Sequence, residues 1–202
     1  MPRHTGFLKA GGQPVAPGRS RTLVSEGCDV LLINPPYPRR FGGGIVPPIG
    51  LCYLAAALRR IGVVPQILDL AVALPEYRFA DGEKTVQLVR TYLRRYRRNP
   101  PKLIGVGPVV TATLRAVRQI VTACRTEVAS KVIVGGPLCS VPGISAVARD
   151  YLGVDAYVAG DGESPISEVW KVVASSTDFV ADIPGVGLPG GKEPPPHREL
   201  DL

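Results

Sequence analysis

The sequence predicts an α/β doubly wound fold, a five-stranded parallel sheet in the flavodoxin-like order 2-1-3-4-5 with helices on both faces. Three observations carry this. Short apolar runs at 29–34, 65–70, 103–107, 131–135 and 156–159, the first four rich in Val, Ile or Leu, read as strands buried on both faces. Amphipathic stretches at helical spacing separate them, which makes five βα units. Four of the five runs end in a cluster of Pro, Gly, Asn or Asp, and the second at Asp69, at the carboxyl edge where such sheets hold ligands.

Taken in order, residues 1–27 mix Gly, Pro, Arg and Ser without a hydrophobic period and read as a disordered tail. Residues 1–25 are basic and acid-free, but a tail is favoured over a transit peptide. The run Val30-Leu31-Leu32-Ile33 then stops at Asn34-Pro35-Pro36-Tyr37-Pro38. Proline is costly inside strands and helices, so this segment is a shaped loop, and at a strand end it is better placed as a ligand-facing wall than as a plain connector. A helix over 49–61 carries Leu51, Leu54, Leu58 and Ile61 on one face. A second, over 83–98, carries Val86, Val89, Leu93 and Tyr96, with arginines elsewhere. A third, over 113–127, carries Val117, Ile120, Val121 and Cys124. A short helix spans 144–151, and one over 165–175 follows Ser164 as N-cap with Pro165 in the first helical position. Residues 28–176 make one binding domain, and 177–202 read as a linker-like tail in which 183–186 form at most a small extended piece.

The hydrophobic share of 45% and charged share of 20% are globular values. The longest apolar run, 51–58, falls far short of the ~20 residues a membrane span requires. Cys28, Cys52, Cys124 and Cys139 match no zinc or iron–sulfur spacing; Cys52 and Cys124 sit in apolar helical patterns and read as buried thiols, which fits a reducing, cytoplasmic setting. The net charge of +7 is concentrated in Arg90, Arg94, Arg95, Arg97, Arg98 and Lys102. A solvated helix end is favoured there over a nucleic-acid surface, and a face for an acidic partner is the third reading.

The strand ends form one rim. They offer Asn34 to Pro38, then Asp69, then Gly107-Pro108-Val109-Val110-Thr111-Ala112-Thr113, then Gly135-Gly136-Pro137, then Gly160-Asp161-Gly162-Glu163. Glycines let a ligand approach backbone, and small residues at the third and fourth ends open a slot. Asp69, Asp155, Asp161 and Glu163 are the carboxylates expected near the rim, with helix capping favoured over acid/base or magnesium chemistry. No Walker-type phosphate loop is present, no GxGxxG opens a helix, and His4 and His197, both in the tails, leave no Ser/His/Asp set.

In these stretches the chain resembles the N-terminal cobalamin-binding domain of cobalamin-dependent radical S-adenosylmethionine enzymes, a Rossmann-like domain. The resemblance runs from about residue 29 to 175, on NPPYP at 34–38, PPIGLCYLAAALRRIG at 47–62, ILDL at 67–70, IGVGPVVTAT at 104–113, VIVGGP at 132–137 and VDAYVAGDGE at 154–163. Two positions depart from the family pattern: Leu138 stands where His often follows GGP, and GDGE replaces GEGE. The resemblance implies cobalamin (methylcobalamin or hydroxocobalamin) lying over the strand ends. Its nucleotide tail would run beside Gly107, Pro108, Thr111, Thr113, Gly135, Gly136 and Pro137, with the threonines bonding its polar groups. Asn34, Pro35, Pro36, Tyr37, Pro48 and Gly50 would shape the cobalt-side floor, and Gly160, Gly162 and Glu163 would close the far side. Arg39 and Arg40 lie in the same loop, and the resemblance would put them within reach of the corrin amides or the tail phosphate, though solvated arginines are the favoured reading.

Other cobalamin domains carry Asp-x-His-x-x-Gly after the first strand, the His ligating cobalt. With Gly50 as that Gly, Pro47 stands at the His position and Ile45 at the Asp position. The expectation is a base-off, His-off corrinoid, suited to methyl transfer. The family's CxxxCxxC iron–sulfur motif is absent and no cysteine follows Cys139, so no iron–sulfur cluster is expected in this chain. Radical chemistry would belong to a radical S-adenosylmethionine partner or a module beyond 197–202, which looks like the interdomain linker. A stand-alone carrier and a fragment of a longer protein remain open, as do two other readings. One is a flavodoxin-like flavin or nucleotide module using Gly42-Gly43-Gly44; the other is an interaction module with an empty pocket, docking through the Arg90–Lys102 face.

Overall fold

The strands Val30–Asn34 (β1), Pro65–Asp69 (β2), Leu103–Val106 (β3), Lys131–Gly135 (β4), Ala156–Val158 (β5) and Val186–Gly187 (β6) form one sheet in the computed structural model, which describes residues 27–38, 46–175 and 182–199. The strand order is β2-β1-β3-β4-β5-β6. The first five strands run parallel in the expected order, and β6 adds a sixth, antiparallel to β5.

Alternation within the apolar runs assigns the two faces. Val30, Leu32, Leu103, Ile133, Ala156 and Val158 face the helices Ile49–Arg60 (α1) and Glu163–Ser175 (α6). Leu31, Ile33, Ile104, Val106, Val132, Val134 and Tyr157 face Gly82–Leu93 (α3), Leu114–Glu127 (α4) and the turns after Ile144, which begin as Ile144–Ala146 (α5). Every residue of β1 and β3 is buried. Each fully buried Val, Leu or Ile contributes about 1.5–3 kcal/mol, so these central strands anchor the fold.

Several elements differ from expectation. Leu70–Ala73 is a one-turn helix (α2) rather than the end of a strand, because Asp69 turns the chain by accepting from Ala71 N at 3.0 Å. The helix expected over 83–98 ends at Leu93 and tightens into a 3₁₀ turn, Arg94–Tyr96. The helix expected over 144–151 is α5 followed by a π turn, Val147–Leu152. Ser164 is not an N-cap: α6 starts at Glu163, and the Glu199 carboxylate accepts from Ser164 N at 2.9 Å. Cys52 is exposed, since the apolar stripe of α1 runs through Leu51, Ala55 and Leu58 and leaves Cys52 and Ile61 outside it.

Residues 183–199 have linker composition but pack on the domain. Ala159 N donates to Gly185 O at 2.8 Å, His197 N to Ala159 O at 2.8 Å and Asp161 N to His197 O at 2.9 Å. The Glu193 carboxylate accepts from Gly143 N and Ser145 N at the start of α5. Backbone pairing across long sequence separation leaves little mark on composition. Residues 1–26 of the expected tail, with His4, and Arg39, Arg40 and Gly42-Gly43-Gly44, lie outside the described residues.

Part of the basic run is paired within the chain. Arg90, Arg97 and Arg94 reach the Glu127 carboxylate at 2.7, 3.1 and 3.9 Å, and Arg95 lies over the Tyr92 ring at 5.0 Å. Arg90 and Arg97 beside Glu127 hold its carboxyl below the usual range, and burial opposes them.

Candidate functional site

The order 2-1-3 makes the connections leave β1 and β3 toward opposite faces, so their loops diverge and open a crevice at the carboxyl edge. A cavity of about 600 Å³ lies there, within the range of small-molecule sites. Its floor is the α1/α6 face of the sheet: Leu32, Gly105, Ile133 and Val158, with Leu54 and Ile166 from the helices. Gly105 is registered between Leu32 and Ile133, so the missing side chain cuts a notch between two large ones. A Cβ there would stand 3.0 Å from Leu32 Cδ2.

One wall is the proline loop. Asn34, Pro35, Tyr37, Pro47, Pro48 and Gly50 all line the cavity, joined by Val46, Ile49 and Leu51. Asn34 is held from outside: its Nδ2 donates to Asp69 Oδ1 at 2.8 Å. Gly107, Pro108, Thr113, Gly135 and Gly136 form the slot side, and Gly160, Asp161, Gly162 and Glu163 the far wall. Pro36, Thr111 and Pro137 do not line the cavity. Pro36 alternates away between Pro35 and Tyr37 into buried surroundings, whereas Thr111 and Pro137 face solvent from their turns.

The slot side is laced by backbone. Gly107 N donates to Ile33 O, Val109 N to Gly135 O and Leu138 N to Val109 O. Thr113 acts first as a staple: its Oγ1 accepts from Val110 N at 3.1 Å and donates to Pro108 O at 3.0 Å. A hydroxyl has one hydrogen and two lone pairs, so these bonds leave one lone pair of Thr113 unused. Gly136 lines the cavity and also holds two loops together. Its φ is +129°, and a Cβ would meet Val109 N at 2.4 Å. At Gly135 a Cβ would make only ordinary contact, 3.8 Å from Val158 Cβ.

The expected carboxylates do not gather. Asp69 caps α2, and Asp155 lies at the opposite end of the sheet, on Val132 N and Arg125 Nη2. Only Asp161 and Glu163 reach the cavity. Among the described residues no group of His, Cys, Asp and Glu is spaced to hold a metal ion. The one described histidine, His197, is absent from the lining, and Pro47 is part of the proline wall. Burial pushes the Cys139 thiol, in the turn after β4, up to about 12, so it stays protonated at neutral pH.

The sequence pattern missed the floor. Leu32, Gly105, Ile133, Leu54 and Ile166 read as core, and only the parity of the strands, with a glycine among large residues, could have marked a slot there.

Comparison with known proteins bears on this site. The family model of the B12 binding domain matches residues 42–170. No curated protein matches the sequence. The radical S-adenosylmethionine methyltransferase TsrM from Kitasatospora setae, with tryptophan substrate and aza-SAM bound, is 26% identical with a TM-score of 0.60, over 78% of this chain and 27% of that one. TsrM with cobalamin and a 4Fe-4S cluster bound gives 24% identity and a TM-score of 0.63 over 85% and 30%. The cobalamin-dependent S-adenosylmethionine radical enzyme OxsB, with aqua-cobalamin and S-adenosylmethionine bound, shares the fold at 13% identity and a TM-score of 0.60 over 86% and 23%. The chain therefore spans less than a third of the length of either relative.

Proposed function

The chain belongs to the B12 binding domain family, and from that premise we propose that it holds cobalamin in a base-off, His-off state. In this reading it serves as corrinoid carrier or methyl donor for a radical S-adenosylmethionine methyltransferase module or partner outside this sequence. Residues 28–176 are the binding unit, with 183–199 packed against it outside the cavity. The reading rests on one observation: an apolar slot at the strand ends, notched at Gly105 and lined by no histidine among the described residues.

The residues present fit the group. The slot over Gly105, Ile133 and Gly135 has room for a flat apolar tail, and Thr113 keeps one acceptor position beside it. Asp161 and Glu163 supply carboxylate oxygens for the amide hydrogens that fringe a corrin. Pro47 and Pro48 line one wall with groups that donate no hydrogen bond and ligate no metal. Bound cobalamin would supply a cobalt that takes up and releases a methyl group, and Leu32, Gly105, Ile133, Pro47 and Pro48 would hold it in an apolar setting and limit water there. Four free cysteines fit a reducing, cytoplasmic compartment, and no described helix is long and apolar enough to cross a membrane.

The test is to mix the purified chain with hydroxocobalamin or flavin, desalt, and record the absorption spectrum. Retained corrin bands of a base-off species are expected. Bands of a nitrogen-ligated corrinoid would remove the His-off assignment. Retention of flavin alone, or of neither, would remove the cobalamin reading.

A further inference from the structure

The far wall of the cavity is held from two sides, by α6, where Ile166 N donates to Gly162 O at 2.9 Å, and by residues 197–199. Gly160 has a left-handed φ of +88°, and its N donates to Ser140 Oγ at 3.0 Å. Beyond it, Asp161 to Ser164 are held by residues 197–199. Gly160 and His197 form an isolated parallel bridge. A Cβ on Gly160 would lie 2.0 Å from His197 O, so the two backbones touch where a side chain would sit. Asp161 N donates to His197 O at 2.9 Å, and Glu199 N donates back to Asp161 Oδ2 at 3.0 Å. The Glu199 carboxylate accepts from Ser164 N at 2.9 Å, taking one of the free N–H groups at the start of α6, and its Oε1 lies 3.5 Å from His197 Nε2.

We propose that residues 197–199 are a latch that sets the far wall of the corrinoid site, with Glu199 its positioning residue. This rests on the cobalamin reading of the cavity. Asp161, Gly162 and Glu163 line the cavity, whereas 197–199 do not. The latch therefore acts through the rim and touches no ligand. Tension or displacement in the chain around 197–199 is transmitted to the rim through these backbone bonds, so corrinoid affinity is coupled to the conformation of the C-terminal segment. Glu199 is the bond most open to change, because a side chain makes it and the rest of the latch is mainly backbone.

The experiment compares the unsubstituted chain with Glu199→Ala and Glu199→Gln by two readouts. The first is amide hydrogen exchange at 160–166 without corrinoid. The second is hydroxocobalamin affinity, followed by quenching of Trp170 fluorescence. Glu199→Ala should speed exchange at 161–166 and weaken hydroxocobalamin binding roughly tenfold, as expected for loss of a hydrogen bond to a charged acceptor. Glu199→Gln keeps an acceptor oxygen and should recover most of both. Unchanged exchange in Glu199→Ala would overturn the latch, as would faster exchange with unchanged affinity. If the unsubstituted chain binds no hydroxocobalamin, the cobalamin reading falls and the coupling falls with it. The exchange comparison then still decides whether Glu199 holds the rim.

Discussion

The Asn34 side-chain amide donates a 2.8 Å hydrogen bond to the Asp69 carboxylate, tying together two residues that are also registered partners at the ends of β1 and β2. The same Asp69 oxygen accepts from Ala71 N and Val72 N, so one carboxylate caps α2 and fixes an amide in the cavity wall. Asp69→Ala should lower stability by roughly 1–2 kcal/mol, the worth of an N-cap. It should also raise the dissociation constant for hydroxocobalamin. Urea denaturation and spectral titration check the two effects separately, and an unchanged dissociation constant would show that Asn34 needs no anchor.

Gly135 and Gly136 are adjacent and should behave oppositely. Gly135→Leu meets only ordinary contact at its Cβ and extends into the slot. It should leave the thermal midpoint near that of the parent and abolish corrinoid retention after desalting. Gly136→Ala puts a Cβ against Val109 N in a left-handed backbone. It should lower the midpoint by several degrees whether or not corrinoid is bound. Equal behaviour of the two would remove the slot assignment.

Glu127 joins α4 to the end of α3 through Arg90 and Arg97. Its folded pKa is lowered, so the stability it adds is present above the unfolded value and is lost as pH falls through the folded one. Glu127→Gln should therefore lower the thermal midpoint by a few degrees at neutral pH, and the gap from the parent should close as the solution is acidified below the usual carboxylate range. A gap independent of pH would mean that packing, not charge, is what Glu127 contributes.

Thiol titration separates the cysteines. Cys52 is exposed, whereas Cys28, Cys124 and Cys139 are buried, with burial pushing their thiols up to about 11, 12 and 12. A chromogenic disulfide reagent should modify Cys52 rapidly in the native protein and the other three only on unfolding. Rapid loss of all four thiols would contradict the packing of α4 and of the turn after β4.

Much of the framework was legible in the chain, for a physical reason. A strand buried on both faces must be apolar at every position, so Val30 to Ile33 and Leu103 to Val106 announce themselves. Gly and Pro mark the backbone geometry of loops, so the rim from Asn34 to Glu163 was readable as a set. The identities of Pro36, Thr111 and Pro137 carried no sign of which way their side chains turn. Cys52 was misread because helical spacing gives a stripe but not its exact edge, and the buried stripe of α1 runs through Leu51, Ala55 and Leu58.

Local chemistry along the chain was enough for the five parallel strands, their doubly wound order and the loops at their carboxyl ends, because burial and turn geometry constrain residue type position by position; the antiparallel β6 came only with the fold. The depth of the slot came from register, which sets Gly105 between Leu32 and Ile133. The far wall came from His197 and Glu199 folding back on Gly160 to Ser164, contacts made largely through backbone groups that every residue carries. Backbone hydrogen bonds depend little on side-chain identity, so a segment with linker composition became part of the site only when the chain was folded.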